Sequence, residues 1–159
     1  MVQETWVDNT PYFPRWLWSL RNMQETNQGE VAHSLAKYRN HLEFNGYRVE
    51  DEEEDFLFCR HPRKVNLCLK KIADRGVLVS TLYAVEETVD RAELLEYAND
   101  LNTDFLFMKA YLDDEDLMHF ETFFEGDYDR INFSLLLENI EFDINNILSG
   151  HELTEAYLR

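Results

Sequence analysis

The sequence predicts an α+β domain in which helices flank an antiparallel sheet, in the order helix, three or four strands, helix, two strands, helix. Apolar residues recur with helical spacing in three segments, and they alternate with a period of two in the segments between. The 159 residues match the usual size of a single compact domain, and the chain contains no internal repeat. We therefore expect one folded domain that consists mostly of regular structure.

The three helices are predicted from apolar stripes with spacings of three and four residues, each preceded by a capping residue. Their predicted ranges are about 30–46, 88–101 and 129–148, with caps at Asn27 with Glu30, at Asp90 with Glu93, and at Asp127 or Asp129. Gly46 and Gly150 follow the first and third helices and are expected to end them. In the third helix Leu135 and Phe142 lie off the main stripe, which predicts a further buried contact for them, unless this small domain covers both stripes of the long helix internally.

The first hairpin is predicted to turn at residues 61–64. A four-residue loop there places Phe58 opposite Leu67, with the large apolar side chains on one face of the sheet. In this register Cys59 and Cys68 share the other face as diagonal neighbours, about 7–8 Å apart. Because a relaxed disulfide needs a shorter separation, we predict two free thiols.

The last hairpin is predicted to be apolar on both faces. A four-residue turn at 113–116 places Leu112 opposite Leu117. An antiparallel strand normally needs only one apolar face, so we expect another segment to cover the second side. The apolar residues assigned to that second face include Leu106, Met108, Leu112 and Phe123.

The first 28 residues differ from the rest and form an aromatic-rich arm that contains all three tryptophans of the chain. We expect this arm to act as a lid on the second sheet face, within a monomer or a dimer, in preference to a partner-binding segment. The predicted organisation is therefore an arm (1–28), an α+β domain (29–150) and a short C-terminal tail (151–159). The candidate partner-binding residues are Trp16, Trp18, Leu106, Met108, Leu112 and Phe123.

The charge of the chain limits its partners. Fifteen Lys and Arg residues against 32 Asp and Glu residues give a net charge of −17, which repels phosphate backbones and anionic lipids. We expect neither nucleic acid nor a membrane as a partner. With no secretion signal, no long apolar segment and only two cysteines, the sequence predicts a cytosolic protein.

No catalytic, cofactor-binding or metal-binding residue is predicted. The acidic run 50–55 is interpreted as a solvated hairpin loop in preference to a cation site, and the acidic turn 113–116 lacks the pattern of an EF-hand. The five histidines lie in separate segments without metal-ligand spacing. His119 and Glu121 are interpreted as a polar patch on one strand face in preference to an acid–base pair.

Several segments together resemble the YbjN-like family. They are FLFC (56–59), VLVST (77–81) and above all LNTDFLFMKAYLDDEDLMHFETFF (101–124), and the resemblance covers about Gly29 to Gly150. It implies the α-β-β-β-α-β-β-α fold of type III secretion chaperones, which are small acidic proteins that often form dimers. YbjN-like proteins are described as sensory-transduction regulators, and the resemblance carries no catalytic residue to this chain.

We therefore expect a non-enzymatic binding or regulatory protein that binds a protein or peptide partner and forms a homodimer. The alternative is a small-ligand-binding domain or an uncharacterised enzyme with a pocket under the N-terminal arm. Clustered titrating side chains in an apolar cleft would be the sign of that alternative.

Overall fold

The structure is a computed structural model that describes residues 34–159. Four strands follow the first helix and two follow the second, so the predicted α+β class with an antiparallel sheet is confirmed. The elements are α1 (Ala36–Phe44), β1 (Arg48–Glu53), β2 (Phe56–Arg60), β3 (Leu67–Ile72), β4 (Gly76–Ala84), α2 (Arg91–Asp104), β5 (Lys109–Leu112), β6 (Leu117–Glu125), α3 (Arg130–Phe142), a π-helical segment (Asp143–Leu148) and α4 (Thr154–Tyr157).

The six strands form one antiparallel sheet in the order β1-β2-β3-β4-β6-β5. The buried apolar residues of α1, α2 and α3 pack with strand residues such as Leu57, Val79 and Phe120 in one cluster. We call this side of the sheet the core face. The opposite side, the outer face, carries residues such as Phe58 and Cys68, which belong to a separate apolar cluster.

The predicted caps of the second and third helices are confirmed, whereas the first helix begins at Ala36 and not near residue 30, since residues 34 and 35 form a turn. Asp90 and Glu93 form the capping box of α2, and the Asp129 carboxylate accepts from the backbone N–H of Asn132 to cap α3. Gly46 follows α1 with φ +88°, a backbone conformation that residues with a Cβ rarely adopt. The predicted cap at Asn27 and Glu30 lies outside the described residues.

The predicted register of the first hairpin is wrong by one residue. Phe58 lies opposite Cys68 and Leu57 opposite Leu69, because the connection holds one residue more than a four-residue loop. The His61 ring organises this longer loop, since its Nδ1 accepts from the backbone N–H groups of residues 63 and 64. The shift puts Cys59 on the core face and Cys68 on the outer face, so the two thiols point to opposite sides of the sheet.

The last hairpin shows the same one-residue error. Leu112 pairs with Met118, because Asp113 Oδ1 accepts from the N–H groups of Glu115 and Leu117 and Asp116 adopts φ +57°. Side-chain oxygens of Asp that bond to nearby backbone N–H groups stabilise longer turns of this kind. Consequently Leu112 faces the core, and the predicted common face of Leu106, Met108, Leu112 and Phe123 is wrong.

The interpretation of the acidic run 50–55 as a hairpin loop is wrong for most of its residues. Most of the run forms β1, one of the two edge strands of the sheet, and the register shifts at Glu50 between Val49 and Asp51. One side of an edge strand has no strand neighbour, so charged side chains are tolerated there and discourage pairing with other chains. Glu52 in this strand forms an ion pair with Arg39 of α1, at 2.9 Å.

Residues 151–159, predicted as a short tail, return to the domain. Leu158 forms an antiparallel bridge with Val85, and the N–H of Arg159 donates to the carbonyl oxygen of Ala84 at 2.9 Å. The Thr154 hydroxyl lies 2.7 Å from that of Tyr97 in α2. The C-terminus is thereby fixed against the end of β4.

Candidate functional site

The solvent-facing side of α3 carries a second row of apolar side chains. Leu137 and Ile140 enter the core, whereas Ile131, Leu135 and Phe142 point away from it and are exposed, Ile131 to 72%. The spacing of four and seven residues places these three side chains on one line along the helix. The buried contact predicted for Leu135 and Phe142 is therefore not made within residues 34–159.

Two residues of the connection between α2 and β5 extend this row. Leu106 and Phe107 are exposed, and the Phe107 ring makes an edge-to-face contact with Phe142, with 6.3 Å between the ring centroids. We call the surface formed by Leu106, Phe107, Ile131, Leu135 and Phe142 the α3 stripe.

Asp143 holds the Leu106–Phe107 segment in place. Its carboxylate is fully buried; Oδ1 accepts from the N–H of Leu106 at 3.2 Å, and Oδ2 accepts from those of Phe107 and Met108 at 2.8 Å. Hydrogen bonds to a charged acceptor in a buried position are among the strong ones. This arrangement keeps Leu106 and Phe107 exposed while the Met108 side chain enters the core.

Charge is sparse along the α3 stripe although the chain as a whole carries −17. Glu138 lies in the same row between Leu135 and Phe142, whereas Glu141 forms an ion pair with Lys64. Few charges and large apolar side chains are typical of the centre of protein–protein interfaces. The composition of the stripe therefore favours contact with protein.

A polar network occupies the outer face of β5 and β6. The Tyr111 hydroxyl donates to Glu121 Oε1 at 2.7 Å, and Lys109 Nζ lies 3.1 Å from Glu121 Oε2. His119 Nε2 lies 2.8 Å from Asp113 Oδ2, and the His119 ring stacks on Tyr111 with 4.7 Å between the centroids. We call these five residues the outer-face network; its members His119 and Glu121 are buried.

The bonding in the outer-face network indicates a positioning role. Burial and the hydrogen bond to Glu121 raise the pKa of Tyr111, so the phenol stays protonated at neutral pH and donates to the carboxylate. His119 bonds to Asp113 and not to Glu121, which agrees with the predicted polar patch and not with an acid–base pair of residues 119 and 121. The network thus orients the rings on this part of the sheet.

A second polar cluster joins α1 to α3. His41 Nδ1 lies 2.9 Å from the Tyr128 hydroxyl, and its Nε2 lies 3.2 Å from Ser134 Oγ. The serine hydroxyl also donates to the carbonyl oxygen of Arg130 at 3.0 Å, so its proton does not point towards the histidine. Burial and Arg130 lower the pKa of His41, which keeps the imidazole neutral. No local spacing predicts this cluster, because His41 and Ser134 are 93 residues apart.

Both cysteines are free and buried, as predicted for the thiols. Burial raises the pKa of Cys59 and of Cys68 to about 12, so neither forms an appreciable amount of thiolate at neutral pH. We expect Ellman's reagent to label neither thiol in the native chain during the time in which it labels both after unfolding in urea. Rapid labelling of the native chain would contradict the assigned burial.

The structure separates the predicted partner-binding residues. Met108 and Leu112 pack in the core, and Phe123 is exposed on the outer face. Leu106 alone among the four lies in the α3 stripe. Trp16 and Trp18 lie outside the described residues.

The acidic and helical segments of residues 34–159 provide neither a metal site nor a membrane span. Residues 34–159 contain no group of three or more His, Cys, Asp or Glu side chains placed to hold a metal ion. In the acidic turn 113–116, Asp113 is engaged by backbone N–H groups and His119, and Asp116 pairs with Arg91. Within the same range, every helix is too short or too polar to cross a bilayer.

The fold is shared with a solved bacterial protein. The chain is similar to the crystal structure of YbjN, a proposed transcription regulator from E. coli, with a TM-score of 0.61 and 18% sequence identity over 81% of this chain and 98% of that one. No family model and no curated protein matches the sequence. The predicted YbjN-like resemblance is thus confirmed as a likeness of fold.

Proposed function

We propose that this chain, which has the fold of YbjN, is a non-enzymatic binding or regulatory protein that acts by contacting other protein chains. The observation that carries the proposal is the two-sided apolar character of α3, whose inner row enters the core and whose outer row is the α3 stripe. A helix on the surface of a domain normally has one apolar stripe, which faces the core. The second row of α3, which the rest of residues 34–159 leaves exposed, therefore marks a contact surface.

The partner that we propose for the α3 stripe is a second copy of this chain. A homodimer with two-fold symmetry uses the same surface on both copies, and such dimers are the commonest oligomers. The 13 residues of α3 span about 20 Å, enough for two such helices to pair along the stripe. The low charge of the stripe matters here, because two copies with a net charge of −17 repel each other elsewhere on the surface.

A regulatory role is proposed from the likeness to YbjN, a proposed transcription regulator. Contact with nucleic acid is a poor route to regulation for this chain, since its net charge of −17 opposes binding to phosphate backbones. We therefore assign regulation to protein–protein contact.

Light scattering tests the dimer. At micromolar concentration we expect a mass of about 38 kDa, twice the chain mass of 19.0 kDa. The fraction of dimer that dissociates on dilution should fall as the salt concentration rises from about 50 to about 500 mM, because salt screens the repulsion between the two acidic copies. A mass of 19.0 kDa at every concentration and salt level would contradict the proposal.

A further inference from the structure

The outer face carries an apolar cluster of its own, separate from the core. Phe56 and Phe58 of β2 and Cys68 of β3 are buried in it, and Leu82 of β4 packs against them. The buried apolar residues of α1, α2 and α3 all belong to the other cluster, on the core face. Within residues 34–159, therefore, no helix packs on these four side chains.

The chain enters the described structure at the turn between β1 and β2, which directly precedes the first residue of this cluster. Ser34, the first described residue, donates from its hydroxyl to Asp55 Oδ1 at 3.1 Å and also contacts the carbonyl oxygen of Glu54. Asp55 directly precedes Phe56, the first residue of β2. The 33 residues before Ser34 are therefore joined to the described structure near the start of β2, where Phe56 of the apolar cluster lies.

Those 33 residues are long enough to cover the outer face. Crossing the six strands requires about 24 Å at the usual strand spacing. An extended segment of 33 residues reaches on the order of 100 Å, so the chain is long enough to pass the sheet edge and cross the face.

The chemistry of the outer face also suits an aromatic segment. Tryptophan and tyrosine combine a large apolar ring with a polar group that needs a hydrogen-bond partner. The outer face supplies apolar side chains around Leu82 and, beside them, the carboxylates of Asp113 and Glu121 in the outer-face network. Leu82 lies opposite His119 of that network, so the two regions are adjacent.

We propose that the aromatic arm, residues 1–28, covers the outer face of its own chain and packs its tryptophans on the cluster of Phe56, Phe58, Cys68 and Leu82. This inference goes beyond the proposed function, because the outer face and the α3 stripe lie on different layers of the domain. With the outer face occupied by the arm, the α3 stripe is the surface left for a partner.

Tryptophan emission tests the arm directly. All three tryptophans, Trp6, Trp16 and Trp18, lie in the arm, so the emission of the full-length chain reports on the arm alone. We expect emission that is blue-shifted from that of free tryptophan, and quenching by acrylamide that is several-fold weaker. Emission like that of free tryptophan in water would overturn the proposal, whatever the oligomeric state.

A matched pair of variants identifies the surface. Leu82→Lys places a charge in the outer-face cluster, whereas Leu95→Lys places one on an exposed position of α2. We expect Leu82→Lys to red-shift the emission and to increase acrylamide quenching several-fold, with an unchanged circular dichroism spectrum. The Leu95→Lys variant should match the wild type, and equal responses of the two variants would overturn the proposal.

Thiol labelling provides a second readout that separates local uncovering from loss of the fold. Cys68 lies in the outer-face cluster and Cys59 in the core, so Leu82→Lys should expose one thiol per chain to Ellman's reagent. Should this variant unfold and expose both, the wild-type emission still decides the proposal.

In a dimer the arm could instead pack on the outer face of the second copy, and this arrangement has to be distinguished from packing on its own chain. Blue-shifted emission that persists in a monomeric chain, either the wild type or Leu135→Glu, supports the arm on its own sheet. Blue-shifted emission that disappears on dissociation would instead place the arm on the partner copy and overturn the proposal.

Discussion

Replacing Leu135 by glutamate is expected to reduce the mass of the protein in solution from about 38 kDa to the chain mass of 19.0 kDa at micromolar concentration. Leu135 lies in the middle of the α3 stripe, and two-fold symmetry places the substitution in the interface twice. Burying an unpaired carboxylate costs several kcal/mol, and a loss of about 3 kcal/mol of binding free energy already raises the dissociation constant more than a hundredfold. Light scattering over a dilution series measures the change.

Leu95→Glu is the matched control for this substitution. Leu95 is 49% exposed and Leu135 is 50% exposed, and both are leucines on helix surfaces, but Leu95 lies on α2, outside the α3 stripe. Neither variant should change the free energy of unfolding of the monomer by more than about 0.5 kcal/mol. A Leu135→Glu variant that remains dimeric would exclude the α3 stripe as the interface, and so would equal dissociation of both variants.

The wider proposal of protein binding is checked with the same two variants. The measurement is an affinity pull-down from cell lysate with each variant as bait. A protein retained in near-stoichiometric amount by the wild type and by Leu95→Glu, but lost by Leu135→Glu, would place a partner on the α3 stripe. A protein retained equally by all three would place its binding elsewhere on the chain.

Removing the Asp143 carboxylate is expected to lower the free energy of unfolding by about 2–4 kcal/mol in Asp143→Ala. The substitution leaves the backbone N–H groups of Leu106, Phe107 and Met108 without their acceptor, and that of Met108 is buried. Asp143→Asn keeps one carbonyl oxygen as an acceptor and should fall between the wild type and Asp143→Ala. Urea denaturation measures the free energies.

Asp114→Ala serves as the control, because Asp114 is an exposed carboxylate in the turn between β5 and β6. Its effect should stay within about 0.5 kcal/mol of zero. A similarly small effect of Asp143→Ala would show that water replaces the carboxylate. We also expect Asp143→Ala to weaken the dimer, since Leu106 and Phe107 lose the hydrogen bonds that fix their backbone.

Features encoded by neighbouring residues were predictable from the sequence. The capping box of Asp90 and Glu93 requires residues three positions apart, and Gly46 ends α1 by its own conformational freedom. The alternation of apolar residues identified β2 to β6, whereas most of β1 was predicted to be a loop, and the likeness to the YbjN fold followed from the order of the elements. Such signals act within one or two turns of chain, so they depend little on contacts with distant residues.

Strand register was the first property that local pattern did not determine. Both hairpins differ by one residue from prediction, because the side chains of His61 and Asp113 accept hydrogen bonds within their loops and stabilise a longer connection. A shift of one residue moves every side chain of a strand to the other face. Leu112 therefore faces the core, and the two cysteines lie on opposite faces.

The candidate surface was predicted only in part. Leu106 was singled out, and the apolar residues Leu135 and Phe142 were recognised as lying off the main stripe of α3, although their exposure was not predicted. Nothing near Asp143 in the sequence signals its bonds to residues 106–108, some 35 positions earlier.

The sequence by itself determined the types of most elements, the caps of α2 and α3 and the two-sided apolar character of α3, since each depends on the spacing of neighbouring residues. Only the tertiary structure decided which side of α3 meets the core, where Leu106 and Phe107 stand, and which sheet face the helices cover. These outcomes depend on contacts between residues far apart in the chain, and their free energies arise only when the elements pack together.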